Sequence, residues 1–268
     1  MNATECAEST ERVCPVSGEV LGRAPLPSSV PPLEPARLVS LSRPRLRAMI
    51  MAAAAITECE RVLRKGGLNI VGEILRGQGT FYEHDHYPAD DVYDSETGSQ
   101  YYYHAHRGLT GEHGHFHTFL RQPGSGAGQT LLSRSGRGPG CSAEDDAVHL
   151  IGISMNAGGW PIGLFATNRW VTGGQWRRAP EILRILPRFK IDHAFPSWPV
   201  NHWISAMMIL FRPHIEALLR HRDAVVAAHG RKQLDSNPLE DRDLEVTGYL
   251  PIDVDAWIAK VEAHSGGA

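Results

Sequence analysis

Cysteine is scarce in this sequence of 268 residues: Cys6, Cys14, Cys59 and Cys141 stand far apart, with no CxxC pair among them. That excludes a disulfide framework. An excess of one charge is also missing. Lysine and arginine number 27 against 30 acidic residues, and the formal net charge is −3, which removes any global electrostatic case for a nucleic-acid partner. No uncharged apolar run reaches the roughly 18 residues that a spanning helix needs. The opening stretch, MNATECAESTERVCPVSGEV, is polar and acidic where a secretory signal would be basic and then apolar. P-loop, GxGxxG, GxSxG and HExxH patterns are all absent. These absences point to a reducing, cytoplasmic setting and a small-molecule substrate, with neither nucleic acid nor membrane as partner.

Histidine, by contrast, is concentrated. Five of the 14 histidines lie in YYYHAHRGLTGEHGHFHTFL, which spans Tyr101 to Leu120: His104, His106, His113, His115 and His117. In a β-strand, side chains alternate faces, so each cluster presents its imidazoles on one face. The shortest hairpin sets Thr110-Gly111 at the turn, pairing His106 with His115 and His104 with His117. Any even loop length keeps all five on a common face. Opposed Cβ atoms would then lie roughly 4.5–5.5 Å apart, close enough for several imidazoles to meet one ion. Neutral imidazole suits zinc, iron, copper and nickel. The expected cofactor is therefore a divalent transition metal (Zn, Fe, Cu, Mn or Ni) on His104, His106, His113, His115 and His117. Glu112, between the clusters, is the candidate catalytic acid or base.

The rest of the chain frames this hairpin as an α+β protein: a small antiparallel sheet or partial barrel flanked by N- and C-terminal helices. Residues 1–36, rich in proline and serine, predict a disordered tail. Residues 37–268 predict a single domain, with a flexible Gly- and Ser-rich loop at 122–146. Helices are expected over Arg45 to Lys65, stopped by Gly66-Gly67, over Asn69 to Arg76, and over Pro180 to Leu186. A long helix from Val200 to about His229 should break near Pro213, and a last one is capped by Asp253. Thr80 to Gln100 predicts an irregular stretch whose Glu83, His84, Asp85, His86, Asp90, Asp91 and Asp94 either fold over the hairpin or form a solvated loop. Strands Val148 to Met155 and Trp160 to Thr172 form a second hairpin. It sets His149 and Asn168 at one end of an apolar face containing Ile151 and Ile153. This polar pair is the candidate substrate-binding mouth.

Three resemblances bear on function. Gly98, His104, His106 and Glu112 are spaced somewhat like the first cupin motif, which implies a small β-barrel holding a divalent metal. The gap from His106 to Glu112 is longer than that motif's, and no histidine follows Pro161-Ile162-Gly163 where a second motif would need one. His113-Gly-His115-Phe-His117 looks like the signature of histidine-triad nucleotide hydrolases and transferases, which would make His115 a nucleophile. The phrases HYPADDVYD, YYYHAH, EHGHFHTF and TNRWVTG together resemble an uncharacterised domain-of-unknown-function family, which implies no activity. The leading expectation is a metal-dependent oxygenase or hydrolase acting on a small molecule. A non-catalytic metal-binding protein and a histidine-triad-like enzyme are the alternatives.

Overall fold

The computed structural model describes residue 38, residues 40–107, 109, 111–122, 146–232 and 236–266. The expected tail at 1–36 and nearly all of the expected loop at 122–146 lie outside the described residues.

Six antiparallel strands form one open sheet in simple sequential order: β1 (Tyr87–Asp94), β2 (Ser99–His104), β3 (Gly114–Leu120), β4 (Val148–Met155), β5 (Pro161–Thr167) and β6 (Val246–Pro251). Among the described residues, helices α1 (Arg43–Lys65) and α2 (Ile70–Leu75) precede the sheet. Four lie between β5 and β6: α3 (Arg169–Thr172), α4 (Ala179–Ile185), α5 (Trp198–Leu210) and α6 (Arg212–Lys232). Helix α7 (Val254–Gly266) follows the last strand. The α+β expectation is met, with helices at both ends of the chain.

Local chemistry explains the helices. In α1, Leu46, Met49, Ala53, Ile56, Cys59 and Leu63 recur every three or four residues and are buried. Pro44 sits in its first turn, and Gly66 follows its end, with Gly67 at φ 72°. Cys59 is a buried free thiol. Asn69 caps α2 by accepting the Gly72 N–H at 2.7 Å. The expected long C-terminal helix is broken at Phe211, two residues before Pro213, as a residue without an N–H requires. Asp253 accepts the Ala256 N–H at 2.9 Å at the start of α7.

One face of the sheet carries the core. Tyr101, Tyr103, Phe116, Leu150, Ile153 and Leu164 join α1, α5, α6 and α7 in a single buried apolar cluster. Tyr101 donates to Asn201 Oδ1 of α5 at 2.5 Å. Tyr102, Phe119 and Ala147 form a separate small cluster on the opposite face, which is the face of the histidines.

Two strands were not anticipated. β1 lies in the stretch expected to be irregular, where Pro88, Asp90 and Asp91 hide any alternation. Its register shifts between Tyr87 and Val92, and Asp91 adopts a positive φ of 57°. β6 is short and carries a glycine and a terminal proline. In addition, the strand expected to reach Thr172 ends at Thr167, and Asn168 caps α3 instead.

Candidate metal centre

β2 and β3 pair as an antiparallel hairpin, but its register differs from the shortest-turn expectation. His104 pairs with His115, and Tyr102 with His117. The connection runs from Ala105 to His113, so the shift is two residues, and parity is preserved. His104, His115 and His117 therefore share the face opposite the core. His106 lies beyond the strand end and still turns toward them, its ring centroid 4.7 Å from that of His104 and 5.1 Å from that of His115.

The ligand nitrogens of His104, His106 and His115 all lie within 4.8 Å of one another. Zinc at 2.0–2.1 Å from each nitrogen sets tetrahedral neighbours roughly 3.3 Å apart, so modest ring movements close the triad. Nε2 of His104 and Nε2 of His115 are buried and have no hydrogen-bond partner among the described residues. Buried polar nitrogens without partners are rare in native proteins. Two of them, on rings whose centroids are 4.5 Å apart and beside a third imidazole, match the donor set of a divalent transition metal.

His113 does not belong to this group. It precedes β3, so strand alternation does not govern it. Its Nδ1 hydrogen-bonds the Tyr103 hydroxyl at 2.7 Å, and its ring stacks on Phe81, on the core side.

Glu112 has a different position from that of a free acid or base. Its Oε1 is 2.8 Å from Nδ1 of His115, and its Oε2 accepts from Nη2 of Arg107 at 2.5 Å. The carboxylate side chain is only 4% exposed. Holding Nδ1 of His115 leaves Nε2 as the ligating atom, as carboxylates behind metal-bound histidines commonly do. Burial works to raise the Glu112 pKa, but the His115 hydrogen bond and the Arg107 charge outweigh it and bring it down to about 2.

His149 reaches the cluster through a β-bulge. His117 pairs with Gly152 but Phe119 pairs with His149, so two residues, Leu150 and Ile151, face Thr118 alone. The Thr118 hydroxyl donates to the Ile151 carbonyl at 2.7 Å. The extra residue lets both Leu150 and Ile151 join the core. It also turns His149 to the imidazole face, away from the apolar face on which uninterrupted alternation placed it. There Nε2 of His149 lies 2.9 Å from Nδ1 of His117, and Nδ1 of His149 lies 3.3 Å from the Thr167 hydroxyl. Asn168 does not accompany it. Its Oδ1 accepts from the Arg169 N–H and its Nδ2 donates to the Pro238 carbonyl.

The acidic stretch before β1 folds over the hairpin. The His84 N–H donates to the Ala105 carbonyl at 2.9 Å, and the His84 ring stacks on His106. His86 stacks on Tyr102 at 3.6 Å and meets His104 edge-on at 5.6 Å. A second carboxylate backs this histidine: Nδ1 of His86 is 2.9 Å from Asp91 Oδ1. Asp91 in turn accepts from Gln100, and Gln100 from Arg121. Asp90 and Glu83 are exposed, and Asp94 closes the β1–β2 turn through the Glu96 and Thr97 N–H groups.

Burial makes the imidazoles neutral near pH 7. It lowers the His104 pKa to about 2, reinforced by His115 and His106, and lowers that of His149 to about 3, reinforced by Arg222. His115 falls to about 4 by burial despite the opposing hydrogen bond from Glu112. His117, wholly enclosed, is held well below the usual histidine range. The neutral ring is the ligating form.

The chain belongs to a family described as a domain of unknown function, DUF6969, whose model matches residues 50–252. The match takes in every strand and every histidine of the site. That agrees with the resemblance to an uncharacterised family, whereas the cupin likeness is not supported. No curated protein and no solved structure matches the chain.

Proposed function

We propose that His104, His106 and His115 hold a divalent transition metal, and that the protein is a metal-dependent hydrolase acting on a small molecule. The buried, unpartnered Nε2 atoms of His104 and His115, residues that pair directly across the hairpin, carry this reading. Three protein ligands leave a position open, which favours catalysis over closed structural binding. Such an ion would supply Lewis acidity and a bound water whose pKa falls toward about 7.

Hydrolysis is favoured over oxygenation by the roles of the carboxylates. A non-haem iron oxygenase usually ligates its metal with two histidines and one carboxylate. Here the two carboxylates hydrogen-bonded to histidines of the cluster back them at Nδ1 instead, Glu112 behind His115 and Asp91 behind His86. Neither the closed-binding nor the histidine-triad alternative gains support. The histidine triad loses its first member, because His113 turns to Tyr103 and Phe81 on the core side, and its middle member His115 has no exposed surface. The open side of the triad is at His106, which is partly exposed beside the exposed His84.

The test is metal analysis of protein purified without an affinity tag. One transition-metal ion per chain is expected in the native protein, and a large loss in the double variant His106→Ala, His115→Ala. Equal metal content in the two proteins would overturn the site.

A further inference from the structure

Arg107 follows a triad member directly in sequence, and its guanidinium is buried beside the cluster with the side chain 6% exposed. Nε and Nη2 face Glu112, and Nη2 also donates to the Ser154 hydroxyl at 3.0 Å. The guanidinium carbon lies 3.7 Å over the Phe165 ring. That same ring meets His115 and His117 edge-on, with centroids 5.2 and 5.4 Å away. Nη1 is buried and has no partner among the described residues. A guanidinium nitrogen removed from water without an acceptor is costly, and here the guanidinium shares one aromatic ring with His115 and His117.

We propose that Nη1 of Arg107 receives the carboxylate of a small organic acid, holding that substrate beside the metal triad. This rests on the metal reading above. Glu112 balances the charge of Arg107, and Glu245, whose charge bears on His106, offsets one unit of a dication on three neutral imidazoles, which leaves a positive charge to attract an anion. The positive charge of Arg107 itself reaches all four central imidazoles, His104, His106, His115 and His117. A carboxylate fits better than a phosphoryl group. Phosphoryl recognition draws on several donors or a full bidentate fork, and here two of the three guanidinium nitrogens are already engaged. Among the described residues, no lysine contacts the triad.

The experiment uses the full chain loaded with Co(II), followed by the visible absorption of the ion. Glycolate, glycolamide and inorganic phosphate are titrated in turn. Glycolate should shift the spectrum saturably, with glycolamide and phosphate weaker by at least about tenfold, a difference of about 1.4 kcal/mol. Arg107→Lys should retain its cobalt and weaken glycolate by a similar factor. Equal binding of glycolamide, tighter binding of phosphate, or unchanged glycolate affinity in Arg107→Lys would each overturn the proposal. If that variant does not fold, the comparison of glycolate with glycolamide on the unaltered protein decides alone. Full cobalt uptake without a glycolate response removes the carboxylate site only; absence of cobalt uptake removes the metal centre and this site together.

Discussion

His115 and Glu112, three residues apart, are joined by a 2.8 Å contact between imidazole Nδ1 and carboxylate Oε1 that selects which ring nitrogen is free. If Glu112 acted as the catalytic base, Glu112→Gln would abolish turnover and leave metal affinity intact. The observed contact predicts otherwise. The substitution should weaken metal binding by about 10–100-fold, the usual effect of removing a partner behind a ligand. It should also destabilise the fold by about 3–5 kcal/mol, because Arg107 is left buried without its counter-charge. Competition against a chelator and urea unfolding measure the two effects. Metal affinity within twofold of the native protein would refute the positioning role.

The buried imidazoles also predict acid sensitivity. His104, His115, His117 and His149 have folded-state pKa values below the unfolded value of about 6.5. The unfolded chain therefore binds more protons as pH falls, so stability is full above about 6.5 and declines below it. Each of these histidines contributes a slope of up to about 1.4 kcal/mol per pH unit between about 6.5 and its own folded value. Glu112 adds a loss of the same sign below about 4.5, through its folded value of about 2. The urea midpoint of metal-free protein should fall steeply from pH 6.5 to 5. A flat profile over that range would show that these rings are not buried as neutral groups.

Parts of this site were legible in the sequence because parity survives errors of register. The hairpin was expected two residues out of register, yet His104, His115 and His117 remained on one face, since an even shift conserves the side of the sheet. His149 was misplaced because a bulge reverses parity, and nothing in VHLIGISM announces one. The bulge depends on Thr118 of the neighbouring strand, a long-range partner that no local pattern reveals. Alternation ends with the strand at Gly114 and does not govern His113, which lies against Tyr103 and Phe81. The run DHYPADDVYD carried the ligand-type residues His86 and Asp91, but its proline and paired aspartates disguised the strand that brings them over the hairpin.

The placement of His113 gives a selective control. His113→Ala removes the hydrogen bond to the Tyr103 hydroxyl and the stacking on Phe81. It should lower stability by about 1–3 kcal/mol, the penalty for leaving a buried polar group unmet. Metal stoichiometry should stay as in the native protein. Loss of metal in this variant, measured on folded material, would return His113 to the ligand set.

Gly152 offers the complementary perturbation, one that disturbs the site without touching a ligand. It pairs with Phe165 across β4 and β5, and a Cβ on Gly152 would collide with the end of that ring. Glycine in a strand often marks such a close approach. The Phe165 ring contacts Arg107, His115 and His117. Gly152→Ala must therefore push the ring off its seat, toward the guanidinium or the imidazoles. Overpacking of this kind costs about 1–3 kcal/mol, similar to the loss expected for His113→Ala. The two variants should then part in metal binding. His113→Ala keeps full affinity, whereas Gly152→Ala loses affinity because the ligand His115 rests on the displaced ring. Chelator competition on the pair, at matched temperature below both unfolding transitions, separates a general loss of stability from a specific disturbance of the triad. Equal metal affinities in the two variants would show that Phe165 does not position the site.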